Sequence, residues 1–285
     1  MSDLKSRHVM QGHLTIWVSP GSLRAASERV ATLLESSEFD VLYLNLQRDL
    51  ERILEELVEG VPYQSFIDRL LELKLITEPI RSWEYAVKPI VAVVRDLKRT
   101  RPYLRVWCYR QPIFAHLSAR MAEEIARMIL RSSLTGKIDV KEWRNLLTDF
   151  VEASEDALWD EANYIVSRFD HAVSSLCISD FHGRDLVEGL KRSGINVNLE
   201  YIFLPYFFTP LEILAHEFGR RHSEGSELSD NRISDLVKCH KEFVREYVLT
   251  SEDNDEAYFR WIRDNVKWLR PRLNQCAATR RTYSD

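Results

Sequence analysis

Residues 172–204 read AVSSLCISDFHGRDLVEGLKRSGINVNLEYIFL. Ala172–Ile178 has the β-branched, apolar character of a strand. Ser179-Asp180-Phe181-His182-Gly183 is a polar elbow. Arg184–Arg192 is a short helix with an apolar stripe at Leu186, Val187 and Leu190, and Gly194 is placed to end it. Asn196–Leu204 is a second strand. Two strands of one sheet joined by a short helix run parallel. In such sheets ligands bind beyond the carboxyl ends of the strands, so the elbow predicts a site at Asp180 and His182. A bland alternative stands beside it: Asp180 caps the helix and His182 bonds a nearby carbonyl.

Working outward, the same unit recurs at the start of the chain. His13–Val18 reads as a strand, Ser19-Pro20-Gly21-Ser22 as a turn, Leu23–Leu34 as a helix capped by Ser22, and Phe39–Leu46 as a second strand. Gln47–Leu75 has helical spacing interrupted by Gly60 and Pro62. A further helix starts at Glu78-Pro79, and Pro89 predicts a kink or break inside it. Tyr103–Tyr109 is a third strand. Long helices follow over Phe114–Ser133 and Asp139–Ser167, the second capped by Asp139. Helices at Pro210–Phe218, Asp230–Leu249 and Asp255–Leu269 complete the chain. The expected fold is therefore α/β: a mixed, partly parallel sheet of strand–helix–strand units, with large helical insertions and a helical C-terminal region. The expected domains are 1–205, with a helical insertion at about 47–165, and a helical region at 206–285 packed on it.

Composition narrows the function classes. Of the 285 residues, 45% are apolar and 29% charged, which is the balance of a soluble globular protein. The net charge of -5 argues against general nucleic-acid binding. Cys108, Cys177, Cys239 and Cys276 form no CxxC pair, so neither a disulfide framework nor a cysteine zinc site is expected. No run is long and apolar enough for a signal peptide or a membrane span, so the expectation is a cytoplasmic protein without a membrane partner. His216 and His222 do not have the spacing of a zincin helix, because the fourth position after His216 is Arg220.

SDFHG (179–183) resembles the SDxHG motif that opens the calcineurin-like metallophosphoesterases. The further motifs GDxxD, GNH[DE] and GHxH do not follow it, and an incomplete ligand set does not hold two metals. A broader resemblance covers most of residues 13–200. LTIWVSPGSLRAASERVATLLESSEFDVLYLNL, LRVWCYRQPIFAHLSAR, WDEANYIVSRF and AVSSLCISDFHGRDLVEGLKRSG resemble, in that order, four signature regions of the TraB/PrgY proteins. Their wider fold group includes ChaN lipoproteins, erythromycin esterases and Tiki proteases. The resemblance implies a metal-dependent hydrolase site in which two histidines and a glutamate serve the metal and its water. Here the first histidine falls near Trp17, the glutamate on Asn45 and the aspartate of the DR pair near Tyr109. The ERN arginine falls on Ala162, leaving Glu161 and Asn163. Arg110 and His182 match.

Trp17 cannot ligate a metal and Asn45 cannot act as a general base. The leading expectation is thus a non-catalytic binding or regulatory protein. Its residual cleft would use His182, Arg110, Asp180 and Asn45 for a small anionic ligand or a protein partner, with no cofactor. The alternative is a hydrolase with a rearranged site of Asp180, His182 and Glu161, and only that reading brings in a divalent metal. A third reading is a nucleic-acid or assembly module using the basic segment Trp261–Arg270. A homo-oligomer is compatible with each.

Overall fold

The computed structural model describes residues 12–76 and 80–266. The N-terminal stretch to Gln11, the expected helix start at Glu78-Pro79 and the basic segment from Lys267 onward lie outside them. By compactness the chain divides into two units. One is drawn from residues up to Ala122 and from Glu152–Leu204, and the other from Glu123–Val151 and from Pro205 onward. The segment Glu123–Val151, placed in the first domain's insertion from sequence, therefore groups with the C-terminal helices.

The first unit holds a five-stranded sheet: β1 (Leu14–Val18), β2 (Val41–Gln47), β3 (Arg105–Arg110), β4 (Ser175–Ser179) and β5 (Val197–Tyr201), in the order β3-β2-β4-β1-β5. Every pairing is parallel. Period-two alternation explains why helices cover both faces. Leu42, Leu44, Cys108, Leu176 and Ile178 face a core built with α1 (Arg24–Ser36), α2 (Glu51–Val58), α3 (Tyr63–Glu72) and α4 (Ile80–Thr100). Leu14, Ile16, Val18, Tyr43, Tyr109 and Cys177 face the other core, closed by α6 (Val140–Arg168) and α7 (Gly183–Arg192). The helix after β1 and the helix after β4 thus leave to opposite faces although the two strands are neighbours. That divergence opens a crevice at their carboxyl ends, as at the switch point of doubly wound sheets.

Local differences from the sequence reading have physical causes. Leu23, not Ser22, takes the cap position of α1, and no side chain bonds there; buried Leu23 anchors the helix through packing instead. α4 runs unbroken through Pro89. The proline withholds one ladder bond, and packing of Val91, Val94 and Leu97 holds the helix. β4 starts at Ser175 because Asp170–Ser174 forms a turn, with Asp170 accepting the Ala172 N–H and Asp40 the Ser174 N–H. β5 ends at Tyr201. Asp139 does cap α6, accepting the Glu142 N–H at 3.1 Å.

The second unit includes the C-terminal part of α5 (Pro112–Thr135), the start of α6, and α8 (Pro210–Ser223), α9 (Asp230–Glu246) and α10 (Asn254–Asn265). Thr209 and Glu212 form a capping box at α8. No helix among the described residues is long and apolar enough to cross a membrane.

Candidate functional site

The crevice holds a cavity of about 470 Å³ at the carboxyl ends of β1, β2, β3 and β4. Its strand-end rim is polar: Ser19 after β1, Asn45 and Gln47 on β2, Arg110 on β3, Ser179 at the end of β4 and Asp180 after it. The opposing wall is apolar and comes mainly from α4, with Trp83, Val87 and Ile90, together with Val30 of α1. That size and that mix of an apolar wall with few polar groups suit a small-molecule site.

Asn45 reaches the rim through an irregularity in its strand. Leu44 pairs with Cys108, but Gln47 pairs with Arg110, so β2 carries one extra residue there. Such a bulge re-aims side chains at a strand end. Asn45 Nδ2 then donates to Asp180 Oδ2 at 3.4 Å. Arg110 reaches past β2 to the same oxygen, with Nη1 to Oδ2 at 2.9 Å, and its Nε lies 3.4 Å from Glu161 Oε1. Glu161, on α6, also accepts the Gln111 N–H at 3.1 Å. One guanidinium therefore lies between two carboxylates in a largely buried setting.

The two carboxyl groups are displaced in opposite directions. Burial pushes Asp180 upward, but Arg110, His182, the His182 amide and Asn45 outweigh it and hold the group down at about 2. For Glu161 burial wins over Arg110 and the Gln111 amide, and its pKa is raised. Glu161 is only 3% exposed and is not part of the cavity lining.

His182 is placed differently from its sequence expectation. Its backbone N–H bonds Asp180 Oδ1 at 3.0 Å in a tight local turn, so Asp180 organises the elbow rather than capping α7. The His182 side chain is not part of the cavity wall; its Nδ1 lies 4.0 Å from Asp185 on the next turn. Gly183 follows in close contact with the sheet. A Cβ there would sit 2.8 Å from Val18 Cγ2 and 3.2 Å from Ser179, so α7 begins hard against β1 and β4.

Trp17 and Ala162, two positions singled out in the sequence, are engaged in pairing and packing. Trp17 is buried in the sheet and donates its indole N–H to Glu200 of β5 at 3.1 Å. Ala162 packs under α7, where a Cβ on Gly189 would lie 3.1 Å from its Cβ. Among the described residues no group of three or more His, Cys, Asp or Glu is arranged to hold a metal ion.

So Asn45, Arg110, Asp180 and Glu161 come together, and His182 lies beside them. Sequence reasoning missed Ser19, Gln47 and Trp83. The strand-end rule was enough to find Ser19 and Gln47, which sit where Asp180 sits on its own strand. Trp83 reads in sequence as one more core residue of an amphipathic helix. Compared with protein-family profiles, curated proteins and solved structures, the chain finds no match.

Proposed function

We propose that this chain is a non-catalytic small-molecule-binding protein whose ligand occupies the crevice at the ends of β1 to β4. The observation that carries this is the cavity itself, which is open at a doubly wound switch point with a polar rim and an apolar wall. The non-catalytic part draws support from how the key side chains are used. Trp17 spends its N–H on Glu200, Asn45 donates to Asp180, and Arg110 is held by both carboxylates. Read as a TraB/PrgY-like fold, the chain has exchanged the hydrolase residues for packing and pairing.

The expectation of an anion held by Arg110 weakens on this geometry, because the guanidinium already has two partners. A second reading, hydrolysis by a rearranged site, is favoured by the opposite displacement of Asp180 and Glu161, a pattern that divides acid and base roles in enzymes. It requires Glu161 to become accessible.

A thermal-shift fragment screen on wild type and Ala86→Trp tests the proposal. Ala86 lines the cavity from α4, and the larger ring fills it. A ligand present at about 100 times its Kd adds about 2.7 kcal/mol, which is a rise of several degrees for a chain of this size. Fragments that stabilise wild type but not Ala86→Trp are the expected result. Hits unaffected by Ala86→Trp, or no hits, sink the cleft reading. Turnover of p-nitrophenyl esters abolished by Asp180→Asn sinks the non-catalytic one.

A further inference from the structure

The rim of the crevice holds three buried side-chain oxygens that have no partner among the described residues. Ser19 Oγ, Asn45 Oδ1 and Gln47 Oε1 are each buried without a hydrogen-bond partner among the described residues. All three residues line the cavity, and Ser19 is only 6% exposed. The orientation of the Asn45 amide is fixed by chemistry: its nitrogen must face the Asp180 carboxylate, which leaves its oxygen as the free group. A buried acceptor with no donor costs about 1–3 kcal/mol. A molecule that brings N–H or O–H groups relieves the Asn45 and Gln47 oxygens, and the Ser19 hydroxyl accepts from it or donates to it.

Charge points the same way. Arg110 and Asp180 are the only charged side chains lining the cavity among the described residues. Arg110 is shared by Asp180 and Glu161, so the cluster carries no uncompensated positive charge. An anion entering here meets acceptor oxygens and a carboxylate held in its ionised form. Trp83, Val87, Ile90 and Leu46 supply an apolar wall suited to a hydrocarbon or aromatic body.

We infer that the crevice takes an amphipathic ligand with an uncharged or cationic head rich in hydrogen-bond donors, and that it discriminates against anions. This rests on the binding reading above and names its ligand class. The ligand's O–H or N–H groups bond Asn45 Oδ1, Gln47 Oε1 and Ser19, while its body lies along α4.

The test uses three probes of one skeleton, tryptamine, indole-3-ethanol and indole-3-acetate, with inorganic phosphate as a compact anion. Binding to the full chain is read by calorimetry. The amine and the alcohol are expected to bind at least about tenfold more tightly than the acetate, and phosphate not at all; one good hydrogen bond to a buried group is enough for such a ratio. Asn45→Ala with Gln47→Ala should weaken the alcohol about tenfold, with folding checked by circular dichroism. Asp180→Asn keeps the Asp180 turn acceptor but removes its charge, so it should narrow the gap between amine and acetate; a purely structural role for Asp180 does not move that ratio. If the acetate or phosphate binds best and Ala86→Trp abolishes it, the cleft reading stands and the ligand class is wrong. If no probe binds and the fragment screen also finds nothing, both are wrong. If no probe binds while cleft fragments exist, the donor-rich class is rejected unless those fragments carry donors and no negative charge.

Discussion

Arg110 Nη1 lies 2.9 Å from Asp180 Oδ2, and Asn45 Nδ2 donates to that same oxygen, so β3, β2 and the elbow after β4 are tied at one atom. Glu161 holds the other side of the guanidinium at 3.4 Å. Such a cluster is asymmetric toward mutation. Removing the cation strands two carboxylates, and the cost of breaking a buried pair from one side is roughly 3–5 kcal/mol. Arg110→Met is therefore expected to be the most damaging change here, Asp180→Asn to cost about 2 kcal/mol, and Glu161→Gln to be close to neutral, because its amide oxygen still accepts the Gln111 N–H. Urea unfolding of the three variants at neutral pH gives the ranking. A Glu161→Gln loss as large as that of Arg110→Met contradicts it.

The two carboxylates also predict opposite contributions to pH dependence. Asp180 is depressed from 3.8 to about 2, so its stabilisation is complete above pH 3.8 and drains away as the pH falls toward 2, by about 2 kcal/mol in all. Glu161 is raised above 4.5. Its burial is unfavourable while ionised, so acidification from neutrality toward 4.5 relieves it and adds stability. Asp180→Asn should flatten the acid limb below pH 3.8. Glu161→Gln should remove the gain above 4.5. Denaturant midpoints collected across this range, taken as differences from wild type, separate the two effects; parallel curves for all three proteins contradict both.

In the second unit, His240 on α9 is buried and its Nδ1 has no partner among the described residues. Burial alone lowers its pKa from 6.5 to about 4. The unfolded chain therefore takes up the proton first, and stability falls as the pH drops from 6.5 to 4, by roughly 3 kcal/mol. His240→Leu keeps the volume and removes the titration. The variant should match or exceed wild type at pH 7 and pull ahead of it at pH 5 in thermal melts. Equal losses on acidification rule out His240 as the cause.

What could be read from sequence, and what could not, follows from the range of the interactions. The apolar runs of β1, β2 and β4 and the stripe in α7 are local patterns, and they are enough to place the strands and the α/β class. The rule about strand ends placed Asp180. The bulge at Asn45–Leu46 leaves no local signature, because Asn45, Leu46 and Gln47 continue the strand composition without a glycine. The pairing of Arg110 with Asp180 joins residues 70 apart across an intervening strand. The steric role of Gly183 is likewise invisible in sequence: it reads as a flexible elbow, yet its use is close packing on Val18.

That packing yields the sharpest test of the elbow. Gly183 does not need a left-handed backbone; it needs the absence of a Cβ, since one would meet Val18 Cγ2 at 2.8 Å and Ser179 at 3.2 Å. Gly194 is the reverse case, with a φ of +79° and open space around it. Gly194→Ala should cost about 1 kcal/mol through backbone strain alone and leave ligand binding in the crevice unchanged. Gly183→Ala should cost about 1–3 kcal/mol through overpacking. It should also weaken binding, because the start of α7 must shift away from β1 and β4 and carry with it the His182 amide that orients Asp180. Urea midpoints and probe affinities measured on the two variants side by side distinguish them. If Gly183→Ala proves as mild as Gly194→Ala in both measurements, the elbow is not held by close packing, and the link from Gly183 to the orientation of Asp180 fails with it.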